Sequence, residues 1–164
     1  MTTHSYRIAT LIFIENSKKE QLLIRRSFSP NQGLLSPIGG KLEAEKGETP
    51  VECAIREVDE EIGRSISTED LHLFGYLAEK SPFCGKHWMV YLFKLLSPID
   101  DLPAPIEEGA FEFHKIDCIE KLEIPQTDAQ ILWKVFKMNS DGFTGIRVDR
   151  KNDGDFDWTI ETQS

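Results

Sequence analysis

Cysteine is scarce in this chain, and the three that occur are poorly arranged for cysteine chemistry. Cys53, Cys84 and Cys118 are odd in number, and no two form a CxxC pair. That excludes a disulfide framework and a zinc site of the usual spacing. A reducing, cytoplasmic location is the simplest expectation. Long apolar runs are missing as well. No stretch approaches the about 20 residues that a membrane span needs. The N-terminal MTTHSYR has no basic segment followed by an apolar one, so no signal peptide is expected. Basic residues are in deficit, 19 Lys and Arg against 28 Asp and Glu, for a net charge of −9. Such a balance disfavours a nucleic acid polymer held by broad phosphate contacts. It leaves room for a small nucleotide, because a bound divalent cation can locally reverse the sign of the field. Solubility accounts for most of the acidity.

What is present points to a globular chain. The 164 residues suggest one domain over 1–164, as a monomer or homodimer. Hydrophobic residues make up 40% of the chain and recur in both strand-like and helical patterns. No internal repeat or low-complexity tract interrupts them. Residues 6–15 (YRIATLIFIE) and 20–26 (EQLLIRR) read as two strands around a turn. A short extended piece over 33–38 ends at a Gly39-Gly40 turn. Residues 71–80 and 87–96 read as further strands, and Pro98, Pro103 and Pro105 mark a loop. An extended piece over 111–116, a second helix at about 127–138 and a hairpin around Asn152-Asp153-Gly154 complete the chain. This order suggests an α+β fold, an α/β/α sandwich around a mixed β-sheet.

The clearest helix runs from about Thr49 to Gly63. Thr49 is a good N-cap, Pro50 suits the first helical position, and Glu52 completes a capping box. Val51, Ala54, Ile55, Val58 and Ile62 form one apolar stripe, and Gly63 is a suitable terminator. Glu57, Glu60 and Glu61 fall at i, i+3 and i+4, which puts three carboxylates on one face. Three like charges so close repel, and a bound Mg²⁺ or Mn²⁺ would relieve them, since hard cations take carboxylate and phosphate oxygens together. Histidine and cysteine are absent from the acid set, which points away from zinc. Taken alone, a glutamate-rich helix is ordinarily a solvated surface. Its neighbours change that. Glu48, Arg56, Glu57, Glu60, Glu61 and Gly63 follow the spacing E-x7-R-E-x2-E-E-x-G. Six specified residues at roughly 6% usage each give about one chance match in 10⁷ windows.

This segment resembles the Nudix box, G-x5-E-x7-R-E-U-x-E-E-x-G-U with U apolar, at Glu48, Arg56, Glu57, Val58, Glu60, Glu61 and Gly63. The resemblance implies the Nudix fold and hydrolysis of a nucleoside diphosphate linked to some group X. It implies that Glu57, Glu60 and Glu61 ligate Mg²⁺ and that Arg56 pairs with Glu48 to orient helix and loop. In parts of the family a glycine carbonyl, here of Gly39 or Gly40, also reaches the metal. Two departures stand out. The glycines lie two residues further from Glu48 than the pattern specifies, which implies a longer loop around 44–46. Arg64 occupies a position where the pattern has an apolar residue.

Metal ions in such a site neutralise phosphate charge and acidify a bound water, and a carboxylate takes the proton. Glu60 and Glu108 are the two candidates for that base. Glu108-Gly109 resembles an acid-Gly segment that supplies a further metal ligand in MutT-type members, and a solvated loop acid is the plain alternative. Arg25 and Arg26 close the second strand, where MutT-like members place a residue that contacts phosphates. Strand alternation puts Arg26 with Leu22 and Ile24, and Arg25 with Gln21 and Leu23. The stretch 124–128 (IPQTD), ahead of Trp133, resembles the base-contacting segment of 8-oxo-purine triphosphatases, with Asp128 as the acid on a purine edge. The alternative is that Thr127 or Asp128 only caps the helix. His87 and Trp88 read as packing or pocket wall.

Three functions follow in order. The first is a MutT-like hydrolase that releases a nucleoside monophosphate and pyrophosphate from a nucleoside triphosphate, oxidised or not. The second is a hydrolase of ADP-ribose or another nucleotide sugar, for which Pro82 lies near a family proline. The third is a non-catalytic nucleotide-binding module, against which the intact acid set argues.

Overall fold

The computed structural model describes residues 5–82 and 86–164; Cys84 and the first four residues lie outside them. Alternating apolar residues make the first strands as the pattern requires. Strand β1 (Ser5–Phe13) turns at residues 14–19 into β2 (Glu20–Arg26). Strands β3 (Leu35–Ser36) and β4 (Ile38–Lys41) follow. A short 3₁₀ turn at Ala44–Lys46 occupies the stretch where the longer loop is expected, and helix α1 (Pro50–Ile62) comes next. The chain continues through β5 (Leu71–Lys80), β6 (Lys86–Leu95), β7 (Gly109–Lys115) and a four-residue helix α2 (Ile116–Ile119). A π-helical turn at Asp128–Leu132 runs directly into α3 (Trp133–Asn139). Strands β8 (Thr144–Arg150) and β9 (Phe156–Gln163) form the closing hairpin.

The strands build a mixed six-stranded sheet, β4-β1-β6-β5-β8-β9, and a three-stranded sheet, β3-β2-β7. The β1–β6 and β5–β8 pairs are parallel, and the rest are antiparallel. Alternation along each strand divides the core between the two faces of the large sheet. Ile12 and Phe93 pack with Ala54 and Val58 of α1. Their neighbours Phe13 and Leu92 pack with Trp133, Val135 and Phe136 of α3. The α/β/α sandwich follows from that division. Phe13 anchors the second face, stacked on Phe136 at 5.0 Å and edge-on to Trp133 at 4.9 Å. Truncating a fully buried ring such as Trp133 costs about 3–5 kcal/mol.

Three local expectations need correction. Gly39 and Gly40 do not form a turn; they lie inside β4, paired with Leu11 and Thr10 of β1. A side chain at Gly39 would run into the Thr10 carbonyl, so the glycine serves close backbone approach. The helix expected at about 127–138 forms over 126–139 with a π turn at Asp128–Leu132 inside it, so Thr127 does not cap it: it has helical dihedrals and no side-chain capping bond. The extended piece read to Ile116 stops at Lys115, because α2 begins there.

Candidate active site

Local sequence sets the rotation of α1, and that rotation aims the acids. Thr49 Oγ1 accepts from Glu52 N–H (3.2 Å), and Glu52 Oε2 accepts from Thr49 N–H (2.8 Å). Gly63 ends the helix in a left-handed conformation at φ 64°. Between these caps Ala54 and Val58 are fully buried against the sheet. Glu57, Glu60 and Glu61 consequently face the edge of the sheet, where β4 passes. Gly40 is the point of closest approach: a Cβ there would fall on Glu57 Oε1. The Gly39 N–H reaches Glu61 Oε1 at 3.4 Å.

Arg56 organises the acids. Its Nε and Nη2 donate to the two oxygens of Glu48 at 2.7 and 3.0 Å. Its Nη1 donates to Glu57 Oε1 at 2.8 Å and Glu60 Oε2 at 3.2 Å, and Nη2 also reaches the Lys41 carbonyl at 3.1 Å. The Arg56 guanidinium and the Glu43 N–H hold the Glu48 carboxyl at about 2, well below the usual range. Glu57 and Glu61 behave oppositely. Burial pushes Glu57 up despite Arg56. Burial, and then the neighbouring Glu57 charge, pushes Glu61 up to about 8. The Glu57 charge thus opposes ionisation of Glu61, and the Glu60 charge opposes ionisation of Glu57.

Among the described residues, no three acidic, histidine or cysteine side chains are gathered tightly enough to form a ready-made metal site. The donor chemistry nevertheless fits a hard divalent cation. Glu57, Glu60, Glu61, Gly40 and Glu108 all line one cleft of about 670 Å³. These are oxygen donors without imidazole or thiolate, and the repulsion among Glu57, Glu60 and Glu61 is of the kind a cation relieves. Cys53, behind Gly40, is held un-ionised by burial, which pushes its thiol up to about 11.

The cleft brings most of the remaining candidates together. Arg26 lines it beside Ile24, and its Nε donates to the Pro30 carbonyl at 2.8 Å. Arg25 does not join it. Alternation turns Arg25 to the other face of β2, where it donates to Glu112 at 2.7 Å and Glu123 at 3.0 Å. Asp128 and Trp88 line the end of the cleft away from the helix acids, with Asn31 and Pro125. Asp128 is not a helix cap. The residue is 8% exposed, its carboxyl makes no hydrogen bond to a described residue, and burial alone pushes it up to about 7. Desolvation so strong, without a partner, is expected where a ligand completes the site. His87 packs on Tyr6 and accepts from the Ser81 N–H, and Pro82 is not part of the cleft wall.

Three contributors were not legible beforehand. Arg7 and Lys41 lie over the Trp88 ring, 5.5 and 5.8 Å from its centroid, and both line the cleft. Alternation along β1 carries the Arg7 signal, since Arg7, Ala9 and Leu11 share that wall. Arg150, from the closing hairpin, reaches an adjoining cavity, and only the fold brings it there.

Comparison with known proteins agrees with this geometry. The family model described as the NUDIX domain matches residues 5–137. The chain superposes on the mutator MutT protein from Bacillus halodurans with a TM-score of 0.74 and 23% identity, over 94% of this chain and 97% of that one. For the MutT protein from Methanosarcina mazei Go1 the TM-score is 0.66 and the identity 22%, over 84% and 95%. The NUDIX domain of Shewanella oneidensis NrtR, solved with ADP ribose, gives 0.63 and 12%, over 84% and 89%.

Proposed function

The chain belongs to the NUDIX family of pyrophosphohydrolases, and we propose that it hydrolyses a nucleoside triphosphate, in ordinary or oxidised form, to the monophosphate and pyrophosphate. The observation that carries this reading is that one cleft gathers the acids of α1 with Trp88 and with Asp128, which has no hydrogen-bond partner among the described residues. An aromatic side chain and a carboxyl in one cleft suit a flat heterocycle with hydrogen-bonding edges.

In this reading Glu57, Glu60, Glu61, Glu108 and the Gly40 carbonyl hold Mg²⁺ or Mn²⁺. Such a cation supplies charge neutralisation on the phosphates and acidifies a water. Arg56 fixes Glu57 and Glu60 and ties them to Glu48. Arg26 meets the phosphate chain, while Arg25 stays in its ion pairs outside the cleft. Glu60 and Glu108 are the two candidates to accept the proton of the attacking water. The water oxygen forms the new P–O bond as the bridging P–O bond breaks, and pyrophosphate leaves. Asp128 hydrogen-bonds the base edge and Trp88 provides a face for it. The whole of 1–164 acts as one domain in the cytoplasm; among the described residues no helix is long and apolar enough to cross a membrane.

A second reading is a hydrolase of ADP-ribose or another nucleotide sugar, favoured by the NrtR NUDIX domain that was solved with ADP ribose. Incubation with NTPs, oxidised dNTPs, ADP-ribose and nucleotide sugars, with Mg²⁺ or Mn²⁺, separates the two. Triphosphate turnover to monophosphate and pyrophosphate is expected. Rapid ADP-ribose cleavage without triphosphate turnover overturns the first reading in favour of the second.

A further inference from the structure

The cleft continues past Asp128. A second cavity of about 400 Å³ adjoins it, and Leu11, Trp88, Val90 and Asp128 belong to the walls of both. Glu79, Thr127 and Arg150 also line the second cavity. Arg150 Nε and Nη2 donate to the two oxygens of Glu79 at 3.0 and 2.9 Å, a bidentate pair with side chains 26% and 13% exposed. The same Nη2 donates to Thr127 Oγ1 at 3.1 Å. The guanidinium lies over the Phe156 ring at 5.6 Å. Nη1 donates to no described residue. Arg150 and Phe156 belong to β8 and β9, beyond the residues the family model matches.

A largely buried ion pair is a poor stabiliser, because desolvating both charges offsets their attraction. Its position in a cavity wall gives it another use. Glu79 fixes the plane of the guanidinium, so the remaining N–H groups of Nη1 are pre-organised donors. Thr127, held through Nη2, directly precedes Asp128, whose carboxyl makes no hydrogen bond to a described residue. The cavity wall thus combines a fixed donor and a carboxyl with the apolar side chains of Leu77, Val90 and Leu132.

We propose that the second cavity seats the nucleobase and that Arg150, clamped by Glu79, is a specificity-determining residue. Its Nη1 donates to an acceptor on the base edge, and its Nη2 keeps Thr127, and with it Asp128, in place. The closing hairpin is therefore part of the substrate site. This rests on the nucleoside triphosphate reading above.

The test is steady-state kinetics on the four dNTPs and their oxidised forms for wild type, R150A, R150K and the double variant E79L/R150L, each with a thermal melt. R150A is expected to raise KM for the preferred nucleotide about tenfold, with kcat within about twofold of wild type. The ratio of kcat/KM between preferred and disfavoured bases should fall in parallel. R150K, which keeps the charge but not the planar fork, should retain only part of that ratio. The double variant removes both charges together and leaves neither stranded, so it should melt near wild type while losing the same selectivity. Wild-type base selectivity in the double variant overturns the proposal, as does a uniform loss across all bases in R150A. If wild type hydrolyses no triphosphate but cleaves nucleotide sugars, the triphosphate reading fails by itself. The variants are then compared on ADP-, GDP- and UDP-sugars, where unchanged base selectivity overturns the role of Arg150.

Discussion

Arg56 holds Glu48 by two hydrogen bonds, at 2.7 and 3.0 Å, and so ties the middle of α1 to the loop before it. Both side chains are sheltered, Glu48 at 9% exposure and Arg56 at 22%. The same guanidinium reaches Glu57 and Glu60. Stability and site geometry are coupled through this one side chain.

Glu48→Gln should therefore destabilise the fold by about 2 kcal/mol, the scale of hydrogen bonds to a charged partner. The Glu48 carboxyl ordinarily titrates at 4.5 and is held at about 2 in the folded state. Folding binds fewer protons there than unfolding, so this contribution is complete above pH 4.5 and is lost as pH falls through about 2. Urea denaturation at pH 7 and at pH 3 measures it. An equal gap between wild type and variant at both values would show that the ion pair does not act this way.

Glu61 shifts in the other direction, ordinarily at 4.5 and up to about 8 when folded without metal. Its stabilising proton is retained at low pH and lost as pH rises through about 8, so the metal-free protein weakens over that range. A cation at Glu57 and Glu61 takes the place of the proton. The rise in Tm on adding 5–10 mM Mg²⁺ (about the range in which a millimolar-affinity site saturates) should be larger at pH 8.5 than at pH 6. A rise independent of pH would place the metal elsewhere.

Glu60→Gln and Glu61→Gln should each lower kcat by about 10²–10⁴ while circular dichroism stays that of wild type. Glu61→Gln should also abolish the pH dependence of the Mg²⁺ effect on Tm. Near-normal turnover in both variants would remove these carboxylates from the chemistry.

Asp128→Asn addresses the other end of the cleft. Burial raises the Asp128 carboxyl from 3.8 to about 7, so it contributes most to stability below pH 4 and progressively less as pH rises through 7. Asparagine cannot ionise and should flatten that decline, leaving the variant on the order of 2 kcal/mol more stable than wild type at pH 8.5. KM for the preferred nucleotide should rise at the same time. Superimposable stability–pH curves for the two proteins would mean that Asp128 is not desolvated in solution.

Gly40→Ala puts a methyl group where Glu57 Oε1 now sits. The carboxylate must move, so the Mg²⁺ concentration for half-maximal activity should rise several-fold, with a stability loss of about 1–2 kcal/mol. An unchanged metal titration would show that Glu57 tolerates displacement.

Much of the site could be read from the chain because its signals are local. The capping box, the apolar stripe and the terminal glycine of α1 all lie within fifteen residues, and together they orient Glu57, Glu60 and Glu61. Glu48 and Arg56 belong to the same local unit. The role of Gly39-Gly40 is not legible locally, because glycine signals a turn as readily as a close approach, and the approaching groups, Thr10 and Glu57, come from other elements.

By itself, then, the sequence determined the helix, its acid register and the layer order, since periodicity and caps act between neighbours along the chain. Tertiary structure decided which of two adjacent arginines meets the cleft, through the packing of alternate faces of β2. It also decided that Asp128 is buried without a hydrogen-bond partner among the described residues, and it brought Arg150 to Glu79 across 71 residues. Burial and desolvation depend on what the rest of the chain places nearby, and no local pattern encodes that.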